Sequence, residues 1–191
     1  LEQYTEALEH AQDYLAAYET EEDYEFLYVF GTALLGQGRY ADAEERFAAV
    51  HEQDATPERY RRLATYQQLF CLVKQEKYKA VLPLAHEFTQ SFGKHAQTPD
   101  VWYFAGAAHY ELKDYAAAIT ALRQALETYT GDWDYATPAR VMLAESLQQT
   151  NQQEAAADIF GRLARNAQGD NRFYFLATAA ERSIRCPFRT T

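Results

Sequence analysis

The chain has 191 residues, of which 48% are hydrophobic and 24% charged, which allows one domain and leaves little room for two. Only two cysteines occur, so a disulfide scaffold is excluded, and no apolar run approaches the roughly 18–20 residues of a membrane span. Glycine (8 residues) and proline (5 residues) are scarce, which favours helices over a sandwich or a barrel.

The formal net charge of −10 is unevenly distributed. Residues 1–58 contain fifteen acidic and two basic side chains, whereas residues 59–191 contain thirteen acidic and sixteen basic ones. A bulk negative charge disfavours non-specific nucleic-acid binding, so we expect no nucleic-acid partner. The asymmetry indicates either ends of opposite potential or simply solvated helix faces.

The sequence shows no signal peptide, because no basic segment precedes an apolar one at its start. The first residue is Leu1 rather than Met, so we expect residues upstream to have been removed. The compartment, cytoplasmic or periplasmic, therefore stays open.

Several sequence positions recur together with a period of about 37 residues. An aromatic or polar residue three positions before an alanine or a valine stands at Tyr4, Tyr40, Tyr78, Tyr115 and Gln153. Nine residues before the last four of these stand Gly31, Leu69, Gly106 and Ala144. A period held in several columns at once indicates internal repeats.

Apolar residues at helical spacing predict ten helices, near 2–18, 23–36, 40–53, 58–74, 77–91, 99–112, 115–129, 134–149, 152–165 and 171–184. Turn signals separate the paired helices, among them Gly36-Gln37-Gly38, Lys113-Asp114 and Asn151-Gln152. We expect Asp114 and Asn151 to cap the helices that follow them. Each repeat is thus a helical hairpin whose Gly or Ala column lets two helix backbones approach closely.

Two of these units resemble the tetratricopeptide repeat family. The resemblance is carried by Trp102, Gly106, Tyr115, Ala118, Leu122 and Ala125, and by Leu27, Gly31, Gly38, Tyr40, Ala43 and Phe47. The unit at 58–92 departs from the pattern, because Leu69, Val81 and Ala85 replace the usual small, small and large residues.

The resemblance implies an all-α fold, a right-handed superhelical solenoid of antiparallel helical hairpins. We expect one solenoid domain over 1–184, with a half-repeat at 1–20, repeats at 23–56, 58–92, 99–130 and 134–166, a capping helix at 171–184, and a tail at 185–191. The long period also resembles the repeats of bacterial cell-envelope proteins, such as the Tol–Pal accessory protein and the lipoprotein of outer-membrane β-barrel assembly.

The first helix of each hairpin would line the concave face of such a solenoid. The candidate binding residues there are Tyr28, Thr32, Leu35, Tyr66, Phe70, Val73, Tyr103, Tyr110 and Glu145. Tyrosine suits interfaces, so these residues predict an aromatic groove for a peptide or an amphipathic helix of a partner protein. The alternative is that the rings pack between neighbouring hairpins. The face lacks the cationic cluster that binds the acidic tails of heat-shock chaperones.

Enzyme motifs are absent from the sequence. The five histidines show no metal-ligand spacing, and no nucleophile elbow or phosphate-binding loop occurs, so we expect no catalytic residue, metal or cofactor. We expect His109 and Cys71 to be core residues, and Asp132 and Asp134 to cap a helix. The function predicted is a non-catalytic protein-binding scaffold. The alternatives are a cell-envelope or secretion-assembly adaptor or chaperone, and a helical regulatory part of a larger enzyme.

Overall fold

The computed structural model describes residues 23–166 together with Phe175 and Thr178. Within 23–166 the chain forms eight helices and no strand. They are α1 Tyr24–Gly36, α2 Tyr40–Glu52, α3 Glu58–Lys74, α4 Tyr78–Phe92, α5 Thr98–Glu111, α6 Tyr115–Thr128, α7 Ala136–Gln149 and α8 Gln153–Asn166. The all-α prediction is confirmed, and the predicted bounds of these eight helices agree within two residues. The predicted helix at 2–18 lies outside the described residues, as does that at 171–184 except for Phe175 and Thr178, which are helical.

The chain divides into two compact units, Leu1–Gln97 and Thr98–Thr191, called unit 1 and unit 2 below. In unit 1, α1 packs on α2 and α3, α2 on α3, and α3 on α4. In unit 2, α5, α6, α7 and α8 make the same set of contacts in the same order. Each unit is therefore built from two consecutive hairpins, and the single solenoid over 1–184 stays a prediction.

Each hairpin closes where a small residue of the first helix meets a large residue of the second. A β-carbon at Gly31 would lie 2.9 Å from Cε1 of Phe47, and one at Gly106 would lie 2.7 Å from Cγ of Leu122. Phe47 and Leu122 are fully buried, so neither side chain can move aside. The close-contact column identified in the sequence thus faces the second helix of its own hairpin.

In the hairpin of α3 and α4 the two contacting residues keep the same separation in sequence, but the large residue is in the first helix and the small one in the second. Leu69 occupies the close-contact column and Ala85 stands sixteen residues later, as Phe47 stands sixteen after Gly31. Leu69 and Ala85 are both buried, and Val81, which replaces a smaller residue, is fully buried as well. The departure from the repeat pattern at 58–92 therefore preserves the hairpin, because a large residue in one column accompanies a small one in the other.

Four turns inside the hairpins share one backbone conformation. Their left-handed residues are Gly38, Glu76, Lys113 and Asn151, with φ of 74°, 58°, 64° and 61°. At each turn the next amide N–H donates to the carbonyl five residues earlier, for example Asp114 to His109 at 2.9 Å, which is the Schellman motif. Asp114 does cap α6, through a 3.2 Å bond from the Ala117 N–H to Oδ1. Asn151 occupies the left-handed position instead and lies two residues before α8, so its predicted capping role is wrong.

Two further sequence expectations are corrected by the structure. The helix α7 begins at Ala136 with Tyr135 as its N-cap and no side-chain capping bond, so Asp132 and Asp134 do not cap it. The His109 side chain is 25% exposed, and its Nδ1 lies 3.4 Å from an Asp114 carboxylate oxygen, so it is not a core residue. Cys71 is fully buried, as expected, and burial, with a contribution from Glu44, raises the pKa of its thiol to about 12.

The same glycine-to-alanine change is expected to have opposite signs in two helices. Gly106→Ala should lower the free energy of unfolding by about 1–3 kcal/mol, because the new methyl group overlaps Leu122. Gly161→Ala in α8, where the nearest atom to a β-carbon is 3.9 Å away, should raise it by about 0.5–1 kcal/mol. Urea denaturation followed by circular dichroism measures both. Equal effects at the two positions would contradict the close-contact assignment.

Relief of the left-handed strain should stabilise the turn between α5 and α6. A non-glycine residue with positive φ destabilises the folded state by roughly 1–2 kcal/mol. Glycine avoids this cost, but part of the gain is lost because glycine also gives the unfolded chain more conformational freedom. Lys113→Gly should therefore raise the free energy of unfolding by up to about 1 kcal/mol. Lys113→Ala keeps a β-carbon and serves as the control. A glycine variant no more stable than the alanine variant would show that the turn carries no such strain.

Candidate functional site

The predicted binding residues lie on the first helices of the hairpins, at positions i, i+4 and i+7, which fall on one stripe of a helix. We call this surface the A face. In unit 1 it is formed by Tyr28, Thr32 and Leu35 of α1 and by Tyr66, Phe70 and Val73 of α3. In unit 2 it includes Tyr103 and Tyr110 of α5 and Glu145 of α7. All nine side chains are half-buried.

On the A face of unit 1, Tyr28 contacts both neighbouring helices. The centroid of its ring lies 5.6 Å from that of Tyr60 in α3, in an edge-on arrangement, and 5.8 Å from that of Phe47 in α2. The Thr32 hydroxyl donates a 2.8 Å bond to the carbonyl of Tyr28, which removes it as a free donor. Part of the Tyr28 ring therefore stabilises packing, and the remainder faces solvent.

On the A face of unit 1, Phe70 also contacts side chains of the protein itself. Its ring lies 6.5 Å edge-on from Tyr40 of α2, and the Lys74 ammonium lies 5.2 Å from its centroid. A cation at that distance from a ring is attracted by the ring quadrupole. The structure thus fixes Phe70 between a ring and a charge on the protein itself.

The A face of unit 2 repeats the arrangement seen at Tyr28. Tyr103 stacks on Tyr135 with centroids 4.5 Å apart, and the two residues are separated by 32 positions, as are Tyr28 and Tyr60. Burial is the main cause that raises the pKa of Tyr103 above its usual value. In both units a tyrosine of one first helix packs on a tyrosine at the start of the next.

One pair of predicted site residues is joined directly by the fold. The Tyr110 hydroxyl donates a 2.8 Å hydrogen bond to Oε2 of Glu145, which links α5 to α7. Burial, followed by this bond to a carboxylate, raises the pKa of Tyr110 well above its usual value. The bond holds the carboxylate on the A face of unit 2.

An aromatic cluster that was not predicted from the sequence lies in the segment between α6 and α7. Trp133 stacks on Tyr129 at 5.1 Å, and its indole N–H donates a 2.6 Å bond to Asp100 at the start of α5. Arg140 donates to the Tyr129 hydroxyl at 2.7 Å. The signal available in the sequence was three aromatic residues within the seven of 129–135, which is unusual for a loop.

Neither a metal-ligand cluster nor a membrane-spanning helix occurs in the part of the chain that the structure describes. In that part of the chain no group of three His, Cys, Asp or Glu side chains could hold a metal ion. No helix there combines the length and apolarity needed to cross a membrane.

Matches to protein-family models agree with the repeat period, the close-contact column and the hairpin contacts. Residues 1–61 and residues 99–132 match two family models that are both described as tetratricopeptide repeat. The chain is a tetratricopeptide repeat protein. Its repeats make it a scaffold for protein–protein interaction. No curated protein sequence matches it significantly.

Solved structures of MamA are similar to the chain in fold. MamA 41-end from Desulfovibrio magneticus RS-1 has a TM-score of 0.68 at 22% identity, covering 87% of this chain and 88% of that one. The ArsTM double mutant of RS-1 MamA has a TM-score of 0.67 at 19% identity, with 93% and 88% covered. MamA of AMB-1 has a TM-score of 0.63 at 18% identity, with 83% and 94% covered. At these identities the likeness concerns the fold alone.

The contribution of Tyr110 to the free energy of unfolding should decline in alkaline solution. In the unfolded chain this phenol ionises near pH 10.0, whereas the folded state holds it protonated to higher pH. The folded state then binds more protons, so its stability falls as the pH rises above about 10. The free energies of unfolding of the native chain and of Tyr110→Phe are measured in urea at pH 9 and pH 11. Between these two pH values, the native chain should lose more stability than Tyr110→Phe. A difference independent of pH would contradict the burial of this phenol.

Proposed function

We propose that this protein is a non-catalytic scaffold whose A faces bind an extended peptide or a helix of a partner protein. The observation that carries the proposal is the recurrence of half-buried aromatic side chains on equivalent stripes of the first helices, at Tyr28, Tyr66 and Tyr103. Binding sites are enriched in such rings because tyrosine buries a large area with few rotatable bonds and keeps a polar tip.

The hairpins do not need these rings in order to close, which favours a second role for them. Closure depends on the contacts of Gly31 with Phe47 and of Gly106 with Leu122. At the position of Tyr28 the last repeat has Val141, so the packing there accepts a smaller aliphatic residue. Tyrosines held on one side by a neighbouring ring lose little side-chain entropy on binding, which supports affinity through preorganisation.

The chemistry of the A face of unit 1 also favours a partner with apolar side chains. Tyr66 and Phe70 stand where a carboxylate-binding repeat would need cations, and Leu35 adds aliphatic surface on α1. Apolar pockets between helices accept the alternate side chains of an extended peptide or the apolar stripe of a helix. We therefore expect the bound segment to anchor itself by aromatic or aliphatic residues.

The proposal is tested by selecting partner peptides and measuring the loss caused by one ring. Peptides are selected from a displayed library on the full chain, and their affinities are measured by fluorescence anisotropy. Tyr66→Ala should weaken binding about thirtyfold or more, the change that corresponds to roughly 2 kcal/mol, while the helical circular dichroism signal is retained.

Val29→Ala is the matched control, because Val29 is 59% exposed on α1 and lies one residue off the stripe that contains Tyr28. It should leave the affinity unchanged. If Tyr66→Ala lowers the melting temperature and leaves the affinity intact, the ring serves packing alone and the A face of unit 1 is not the binding site.

A further inference from the structure

We propose that the A faces bind a proline-rich segment of the partner protein in the polyproline II conformation, through one pair of tyrosines in each unit. The tyrosine pairs are Tyr28 with Tyr60 in unit 1 and Tyr103 with Tyr135 in unit 2. The inference rests on the proposed function and adds the conformation and the residue type of the bound segment. It is carried by the mutual packing of the rings and by hydroxyl groups that the fold leaves unpaired.

The rings of each pair hold one another in place. Tyr103 and Tyr135 are stacked with their centroids 4.5 Å apart, and the indole of Trp133 lies edge-on to both, at 6.2 Å and 6.0 Å. Tyr28 and Tyr60 form the corresponding edge-on pair of unit 1. Rings fixed in this way form a preorganised apolar surface, and a polyproline II segment is also rigid before it binds, so little conformational entropy is lost on association.

The hydroxyl groups of the tyrosine pairs make no hydrogen bond within the part of the chain that the structure describes, although all four side chains are half-buried. None of these four oxygens is fully enclosed, so a ligand can reach them. Burial is the main cause that raises the pKa of Tyr103 and of Tyr135, so both phenols keep their proton as donors at neutral pH. The hydroxyls of Tyr110 and Tyr129, in contrast, are bonded to Glu145 and Arg140.

These hydroxyl groups require acceptors from the bound segment, and this requirement separates its possible conformations. An α-helix uses its backbone carbonyls internally and offers none along its length. A polyproline II segment has no internal hydrogen bonds, so all of its carbonyls are free to accept from tyrosine. We therefore expect the bound segment to be extended rather than helical.

The same surface favours proline over other residues in an extended segment. The backbone carbonyls of α1, α3, α5 and α7 are used within these helices, so they cannot accept from the N–H groups of a ligand. An N–H group buried against the A face without an acceptor opposes binding. Proline has no N–H group, so a proline-rich segment presents acceptors to the tyrosine pairs and buries no unpaired donor.

The conformation is tested with three fluorescein-labelled peptides of about ten residues: L-proline, D-proline, and leucine alternating with serine. Anisotropy titrations of the full chain should rank L-oligoproline first. D-oligoproline has the same composition and the opposite helical hand, so its carbonyls cannot meet the hydroxyl groups in the same way and it should bind more weakly. The leucine–serine peptide keeps its N–H groups and should also bind more weakly.

Removal of hydroxyl groups separates recognition from folding. The double variant Tyr60→Phe/Tyr135→Phe keeps both rings and removes one unpaired hydroxyl from each unit. It should leave the melting temperature unchanged and weaken L-oligoproline binding about fivefold or more, the effect of one neutral hydrogen bond. Tyr129→Phe is the matched control, because the Tyr129 hydroxyl accepts a 2.7 Å bond from Arg140. It should lower the melting temperature and leave the affinity unchanged.

The inference is overturned if D-oligoproline or the leucine–serine peptide binds as tightly as L-oligoproline, or if the double variant and Tyr129→Phe have equal effects on affinity. The proposed function survives that result provided that library-selected peptides still bind through Tyr66. If neither the three peptides nor any selected peptide binds, both proposals fail.

Discussion

The close approach of the two helices in each hairpin is the constraint on which the rest of the structure depends. Because Gly31 and Gly106 place a helix backbone against Phe47 and Leu122, the rotation of each first helix about its axis is fixed. Seen down the helix axis, the residues three before, one after and four after the glycine then point within about 40–100° of the direction in which the glycine faces the second helix. This geometry explains why Tyr28 both touches Phe47 and keeps part of its ring on the A face.

Much of the fold could be predicted because this constraint leaves a clear trace in the sequence. Gly31 and Gly106 mark the contact, and the period then locates the helix bounds, even for the hairpin in which Leu69 and Ala85 exchange sizes. The left-handed turns were less accessible. Gly38 indicates a left-handed conformation by its residue type. Glu76 and Lys113 do not, because their positive φ is imposed by the Schellman hydrogen bonds at the helix ends.

The candidate site could be predicted in position but not in its contacts. The stripe on each first helix follows from the period, but the sequence does not reveal that Tyr103 stacks on Tyr135 or that Tyr110 donates to Glu145, because both partners come from a different hairpin. The two interpretations of the A-face tyrosines, binding of a partner and packing between hairpins, are compatible. A ring such as Tyr103 uses one surface for packing on the next repeat, and this contact orients the surface that remains.

The contacts that close each hairpin leave room for variation at the A-face positions. In repeat proteins each unit interacts with its neighbours only, so a stripe residue is free to change as long as the close-contact column is kept. The position that holds Leu35 in α1 holds Gln148 in α7, one turn after Ala144, and the buried Nε2 of Gln148 has no hydrogen-bond acceptor among the described residues. An amide buried without a partner opposes stability, and a fold with sufficient apolar packing elsewhere tolerates that loss. Gln148 thus shows that a hairpin can depart from the apolar solution beside the close-contact column and still close.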